Sequence, residues 1–118
     1  MTKVLLAEDD YTMVSLLKTL LNLEGYQVVS VLDKAGNIMD NIRAEMPDVI
    51  LMDVYLGSVN GMNLVKELRN DEALKNIQII MASGMNMREA CMAAGANEFL
   101  LKPYMPDDLL RLLSANQD

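Results

Sequence analysis

Five short apolar runs that do not alternate are separated by segments carrying an apolar residue every three or four positions. Val4-Leu5-Leu6-Ala7 is the first run, Tyr26 to Leu32 the second, and Asp48-Val49-Ile50-Leu51-Met52 the third. Ile77 to Ala82 and Phe99-Leu100-Leu101 complete the set. Side chains of a strand point alternately to the two faces of a sheet, so a run apolar at every position needs cover on both faces. The intervening segments supply that cover. The spacing predicts a helix over about Thr12 to Leu23, with Val14, Leu17, Leu20 and Leu21 on one face and Gly25 stopping it. Ala35, Ile38, Met39, Ile42 and Met46 mark a second helix ended by Pro47, and Met62, Val65 and Leu68 a third. A short helix runs from about Met87 to Ala94, and Pro106, Asp107 and Asp108 open a last one bearing Leu109, Leu110, Leu112 and Leu113. Strand and helix alternate throughout. The fold class is therefore α/β: a single, open, doubly wound (βα)5 domain around a parallel five-stranded sheet.

The chain's 118 residues suit one domain, spanning 1–118, with no output domain expected among them, whether the chain works alone or is a piece of a longer protein. A net charge of −7 argues against nucleic acid or an anionic membrane surface as a direct partner. One cysteine, Cys91, excludes an internal disulfide, and its expected place is the core. The absence of histidine removes histidine-based triads and histidine metal ligands. The eleven methionines are scattered through core-like positions, and core filling is expected of them sooner than a methionine-based metal site. Met1-Thr2-Lys3 leads straight into a strand, so no signal peptide is expected. No apolar run approaches the roughly 18 residues of a membrane span, and the expected location is cytoplasmic.

In open α/β sheets, ligands bind beyond the carboxyl ends of the strands, where strand order reverses. The polar residues of this chain collect at those ends. Glu8 and Asp9 follow the first strand, Asp53 ends the third, Ser83 the fourth and Lys102 the fifth. Taken singly, each is an ordinary strand-end residue. Together they place three carboxylates, a hydroxyl and an ammonium on one rim. Crowded carboxylates raise one another's proton affinity, and a hard divalent cation such as Mg²⁺ relieves that conflict. A carboxylate can attack phosphorus to give an acyl phosphate, with a cation and a lysine offsetting charge on the transferring group.

The segment from Lys3 to Asp10, the stretch Pro47 to Asp53, Ser83-Gly84 and Lys102-Pro103 together resemble the receiver domain of bacterial two-component response regulators. The resemblance covers essentially the whole chain and implies a flavodoxin-like sheet of order 2-1-3-4-5. It further implies that Asp53 takes a phosphoryl group from a histidine kinase or histidine phosphotransfer protein. Asp9 and Asp53 would ligate Mg²⁺, with Glu8 acting through water and the backbone carbonyl of Tyr55 as a further ligand. Lys102 would pair with the carboxylate and then the phosphoryl group. Ser83 and Phe99 would form the switch pair, and the Lys102–Pro103 peptide would be cis. Asp10 is better suited to starting the following helix than to binding metal. A downstream protein or a second copy would engage the surface of helix 4, strand 5 and helix 5. The activity expected is that of a switch catalysing its own phosphorylation and dephosphorylation, not an enzyme acting on an external substrate.

The chain departs from the family in three places. Gly57 stands four residues past the acceptor, where proline is common. Ser83 and Lys102 are 19 positions apart, a shorter interval than usual, which puts the usual output surface in doubt. Met105 occupies the expected helix-capping position, leaving that start weakly capped. Tyr55 and Met85, two residues past Asp53 and Ser83, are bulky enough to shield an acyl phosphate from water, or merely to cover the loop. The shortened helix 4 region keeps a second reading open, a receiver-like interaction module not regulated by phosphorylation. A flavin carrier is disfavoured because Glu8-Asp9-Asp10 would repel its phosphate, and an aspartyl phosphatase because its nucleophile would be expected after the first strand.

Overall fold

The computed structural model describes residues 1–33 and 36–115. The elements are β1 (Lys3–Ala7), α1 (Tyr11–Leu23), β2 (Gln27–Ser30), a single 3₁₀ turn (Val31–Asp33), α2 (Ile38–Glu45) and β3 (Val49–Asp53). A hairpin of β4 (Tyr55–Leu56) and β5 (Val59–Asn60) precedes α3 (Gly61–Arg69), β6 (Gln78–Ser83), α4 (Arg88–Ala94), β7 (Glu98–Leu101) and α5 (Pro106–Ala115). The main sheet is parallel, in the order β2-β1-β3-β6-β7. With the hairpin set aside, this is the expected order 2-1-3-4-5. Chain direction across the sheet reverses between β1 and β3, and the crevice beyond their carboxyl ends is the switch point.

The non-alternating runs divide as their geometry demands. Val4 and Leu6 of β1 and Val49 and Leu51 of β3 face α1 and α5, packing with Val14, Leu17, Leu21, Leu109 and Leu113. Their neighbours Leu5, Ala7, Ile50 and Met52 face the other way, toward Met39 and Ile42 of α2, Leu64, Val65 and Leu68 of α3, and Cys91 of α4. Each strand thus feeds two cores, and Cys91 is the buried hydrophobe expected.

Several boundaries differ from the sequence expectation. The second strand stops at Ser30 instead of running to Leu32, because the buried Ser30 hydroxyl accepts the Leu32 N–H at 3.1 Å and turns the chain into the 3₁₀ segment. The second helix begins at Ile38, capped by Asn37, whose Oδ1 accepts the Asp40 N–H at 2.8 Å. Ala35, assigned to that helix, lies outside the described residues. Met46 does not join the apolar face; it is exposed and left-handed (φ 45°), since the following Pro47 disfavours continuing the helix through it. The loop expected after Asp53 contains the β4–β5 hairpin, whose two-residue turn opens on Gly57 at φ 61°, a conformation suited to glycine. The Lys102–Pro103 peptide is cis.

One side chain organises the corner around the short α4. Arg69, at the end of α3, donates to the Gly95 carbonyl at 2.8 Å, the Lys75 carbonyl at 2.8 Å and the Ile77 carbonyl at 2.7 Å. It also donates to Asn97 Oδ1 at 2.8 Å, which in turn accepts the Ile79 N–H at 2.8 Å. Gly95 is required there. Its φ is +119°, and a Cβ would lie 2.8 Å from Arg69 Cγ.

Candidate functional site

The rim read from the sequence is assembled at the carboxyl ends of β1, β3, β6 and β7. Lys102 Nζ stands 2.7 Å from Asp53 Oδ1 and 2.8 Å from Glu8 Oε2, so one ammonium joins the ends of three strands. Glu8 is buried, and its other oxygen accepts the backbone N–H groups of Asp9 at 3.1 Å and Asp10 at 3.2 Å. Asp9 is exposed at the mouth. Each of Glu8, Asp9 and Asp53 offers a carboxylate oxygen within 4.8 Å of the others, a hard-oxygen donor set that fits a small divalent cation. Asp10 stands apart from this set: its Oδ1 accepts the Met13 N–H at 3.1 Å and caps α1, as expected.

Two carboxylates share one ammonium, and the electrostatics divide accordingly. Burial pushes Asp53 up to about 7; Lys102 opposes this and Glu8 reinforces it. Glu8 also feels burial, yet its hydrogen bond from Lys102, with further help from the Asp10 backbone, holds it below its ordinary value. Burial would lower Lys102, but hydrogen bonds to Asp53 and Glu8 carry it above its ordinary value. The proton-loving member of the set is therefore Asp53.

The remaining predicted residues make contacts of their own, apart from the acid–lysine cluster. Ser83 ends β6, buried, with its hydroxyl engaged by the Met85 N–H at 3.2 Å and by Met87 Sδ at 3.8 Å. Phe99 is 3% exposed, packed into the core on the α2–α3–α4 side. Tyr55 opens the hairpin with its side chain 54% exposed, and Met85 is 61% exposed on the neighbouring loop.

Two contributors were not visible in the sequence. Gly61 donates its N–H to the Val54 carbonyl at 2.6 Å, and a Cβ on it would lie 2.6 Å from the Asp53 carbonyl oxygen. Only glycine lets α3 begin this close to the end of β3. Tyr104 packs against the α1–α5 core. Burial pushes its hydroxyl up to about 12, with Glu8 and Asp53 adding to that and Lys102 opposing it. Its position two residues past Lys102 was the available signal.

The geometry thus defines an open doubly wound α/β domain with a lysine-bridged acid cluster at its switch point. The family model for the response regulator receiver domain matches residues 4–114, and the chain belongs to that family. Among relatives, the transcriptional regulatory protein KdpE of Staphylococcus aureus is 33% identical over 92% of this chain and 46% of its own length. The chemotaxis protein CheY of Bacillus subtilis is 25% identical over 95% of this chain and 94% of its own. The chain thus spans less than half of the former and nearly all of the latter. Among solved structures, the receiver domain of the sensor histidine kinase PA1611 of Pseudomonas aeruginosa is 27% identical, with a TM-score of 0.79 over 97% of this chain and 95% of that one. That structure has a magnesium ion coordinated in its active site cleft. Receiver domains are signalling switches of two-component systems. Among the described residues, no helix is long and apolar enough to cross a membrane.

Proposed function

We propose that Asp53 is the phosphate acceptor of a two-component phosphorelay, working with a divalent cation, expected to be Mg²⁺. The observation that carries this reading is the 2.7 Å contact between Lys102 Nζ and Asp53 Oδ1, beside the carboxylates of Glu8 and Asp9. Asp9 and Asp53 would hold the cation directly, with Glu8 acting through water and the Tyr55 carbonyl completing the protein's share. Bound there, Mg²⁺ offsets charge on the phosphoryl oxygens during transfer.

The chain's own groups do the rest. The unprotonated Asp53 carboxylate attacks the phosphorus of a phosphohistidine on a histidine kinase or phosphotransfer protein. The phosphorus–nitrogen bond breaks, and its electron pair leaves with the imidazole. Lys102 follows the charge from carboxylate to phosphoryl oxygen, and the Ser83 hydroxyl turns to donate a hydrogen bond to the new group. Phe99 then repacks, and the α4–β7–α5 surface passes the change to a downstream protein or a second copy, in the cytoplasm. Tyr55 and Met85, each two residues past a rim residue and exposed, would slow attack by water on the acyl phosphate.

Incubation of the protein with Mg²⁺ and acetyl phosphate should add the mass of one phosphoryl group, and Asp53→Asn should abolish the gain. The seven-residue α4 favours one competing reading, an interaction module indifferent to phosphorylation. Unmodified protein that nonetheless binds Mg²⁺ would decide for that module.

A further inference from the structure

The start of α4 is tied to both members of the switch pair by adjacent residues. Ser83 Oγ, at the end of β6, donates to Met87 Sδ at 3.8 Å and accepts the Met85 N–H at 3.2 Å. Arg88, the next residue, reaches over to β7: its guanidinium donates to the Phe99 carbonyl at 3.2 Å and lies 5.7 Å from the centroid of the Phe99 ring. These two holds differ in strength. A thioether is a weak acceptor, from which an anionic phosphoryl oxygen readily recruits a hydroxyl. A guanidinium that both donates a charge-assisted hydrogen bond and covers an aromatic face is harder to displace.

We infer that Arg88 is a positioning residue for the phosphorylation switch, clamping the start of α4 onto Phe99 and so keeping the Ser83 hydroxyl turned toward Met87. The inference rests on the acceptor role of Asp53. The segment Gly84 to Met87 is anchored at one end by β6 and at the other by Arg88 of α4, which holds Phe99 of β7. For Ser83 Oγ to donate its one O–H to a phosphoryl group on Asp53, it must release Met87 Sδ, though it can keep accepting from Met85. On this inference the Gly84–Met87 segment rearranges with that release. The Arg88 clamp resists the rearrangement. It also gives the short α4 a direct connection to the site: recruiting Ser83 strains the clamp, and releasing the clamp frees Phe99.

The test uses the full chain, with Arg88→Ala and Arg88→Lys as variants. Arg88 is exposed, so neither substitution opens a cavity. Phe99 is the chain's single phenylalanine, and selective phenylalanine labelling gives one ring to follow by NMR. With acetyl phosphate and Mg²⁺, R88A should be phosphorylated about three- to tenfold faster than wild type, and R88K, which keeps a cation over the ring, at an intermediate rate. In unphosphorylated R88A, the Phe99 ring signal should move toward its position in phosphorylated wild type. A wild type that takes up phosphate, with R88A no faster or the Phe99 signal unmoved, overturns the clamp alone. A wild type that takes up none overturns the acceptor reading, and the clamp's role falls with it.

Discussion

Two partly buried cations hold this domain together, and they are satisfied in opposite ways. Lys102 is wedged between the Asp53 and Glu8 carboxylates, 2.7 and 2.8 Å away. Arg69 donates instead to three backbone carbonyls and an asparagine oxygen, all neutral. Neutral carbonyls have no second charge state, so the Arg69 corner has one arrangement. The partners of Lys102 are carboxylates, which can take up a proton or a cation, and on the proposed function Asp53 takes up a phosphoryl group as well. The same physical device serves as a fixed joint at one end of the sheet and as a convertible contact at the other.

Substituting each cation should separate the two roles. Lys102→Ala should slow phosphorylation from acetyl phosphate by about 10²–10³-fold, the range expected when a charge-stabilising donor is removed. Its thermal stability should recover when Mg²⁺ is added or the pH lowered, since a cation or a proton can replace the ammonium. Arg69→Ala should lower stability by about 2–3 kcal/mol relative to wild type, and neither Mg²⁺ nor pH should narrow that gap, since both act equally on the intact rim of each protein. Thermal melts of both variants with and without Mg²⁺ make the comparison. A gap between the Arg69 variant and wild type that Mg²⁺ closed would show that the α4 corner communicates with the rim and is no fixed joint.

The contrast also explains what could be read from the sequence. The rim was legible because each of its charged groups immediately follows or ends an apolar run, and a strand end in this architecture has a known destination. The Arg69 joint was not. Its partners Gly95 and Asn97 lie 26 and 28 residues away, and nothing local marks a surface-looking arginine in α3 as their donor. The same holds for Gly61, where the need for glycine comes from the approach of the Asp53 and Val54 carbonyls. The β4–β5 hairpin escaped because strands of two residues are too short to show a period. Met46 looked like a core residue by spacing alone, and the proline after it decided otherwise.

A smaller effect follows from the proton on Asp53. Its value is raised from 3.8 to about 7, so the folded state holds this proton more tightly than the unfolded chain does. The associated stability is fully present below the unfolded value and is lost as pH rises through about 7. Metal-free wild type should therefore lose stability across that window, whereas Asp53→Asn should not. At pH 8 the variant should melt higher by about 5 °C, with the difference gone by about pH 4. Mg²⁺ competes with the same proton, so its affinity for wild type should fall about tenfold for each pH unit below the Asp53 value. Calorimetric titrations at several pH values would check this, and a flat affinity profile would mean that Asp53 is already ionised.

The smallest effect concerns the start of α5, between the rim and the surface assigned to output. Met105 sits at the N-cap, and its N–H donates to Asp108 Oδ2 at 3.2 Å, while the Asp108 N–H donates to the Met105 carbonyl at 2.9 Å. Half of a capping box is thus already formed by the aspartate, which is why the missing Ser or Thr is tolerated. Met105→Ser would supply an oxygen for the first-turn N–H groups and remove a 68% exposed apolar side chain. The gain should be about 0.5–1 kcal/mol, read as a modest rise in melting temperature. Because this cap touches neither the carboxylates nor Lys102, the phosphorylation rate should stay at the wild-type value. A rate that changed with the cap would extend the convertible region from the rim into α5.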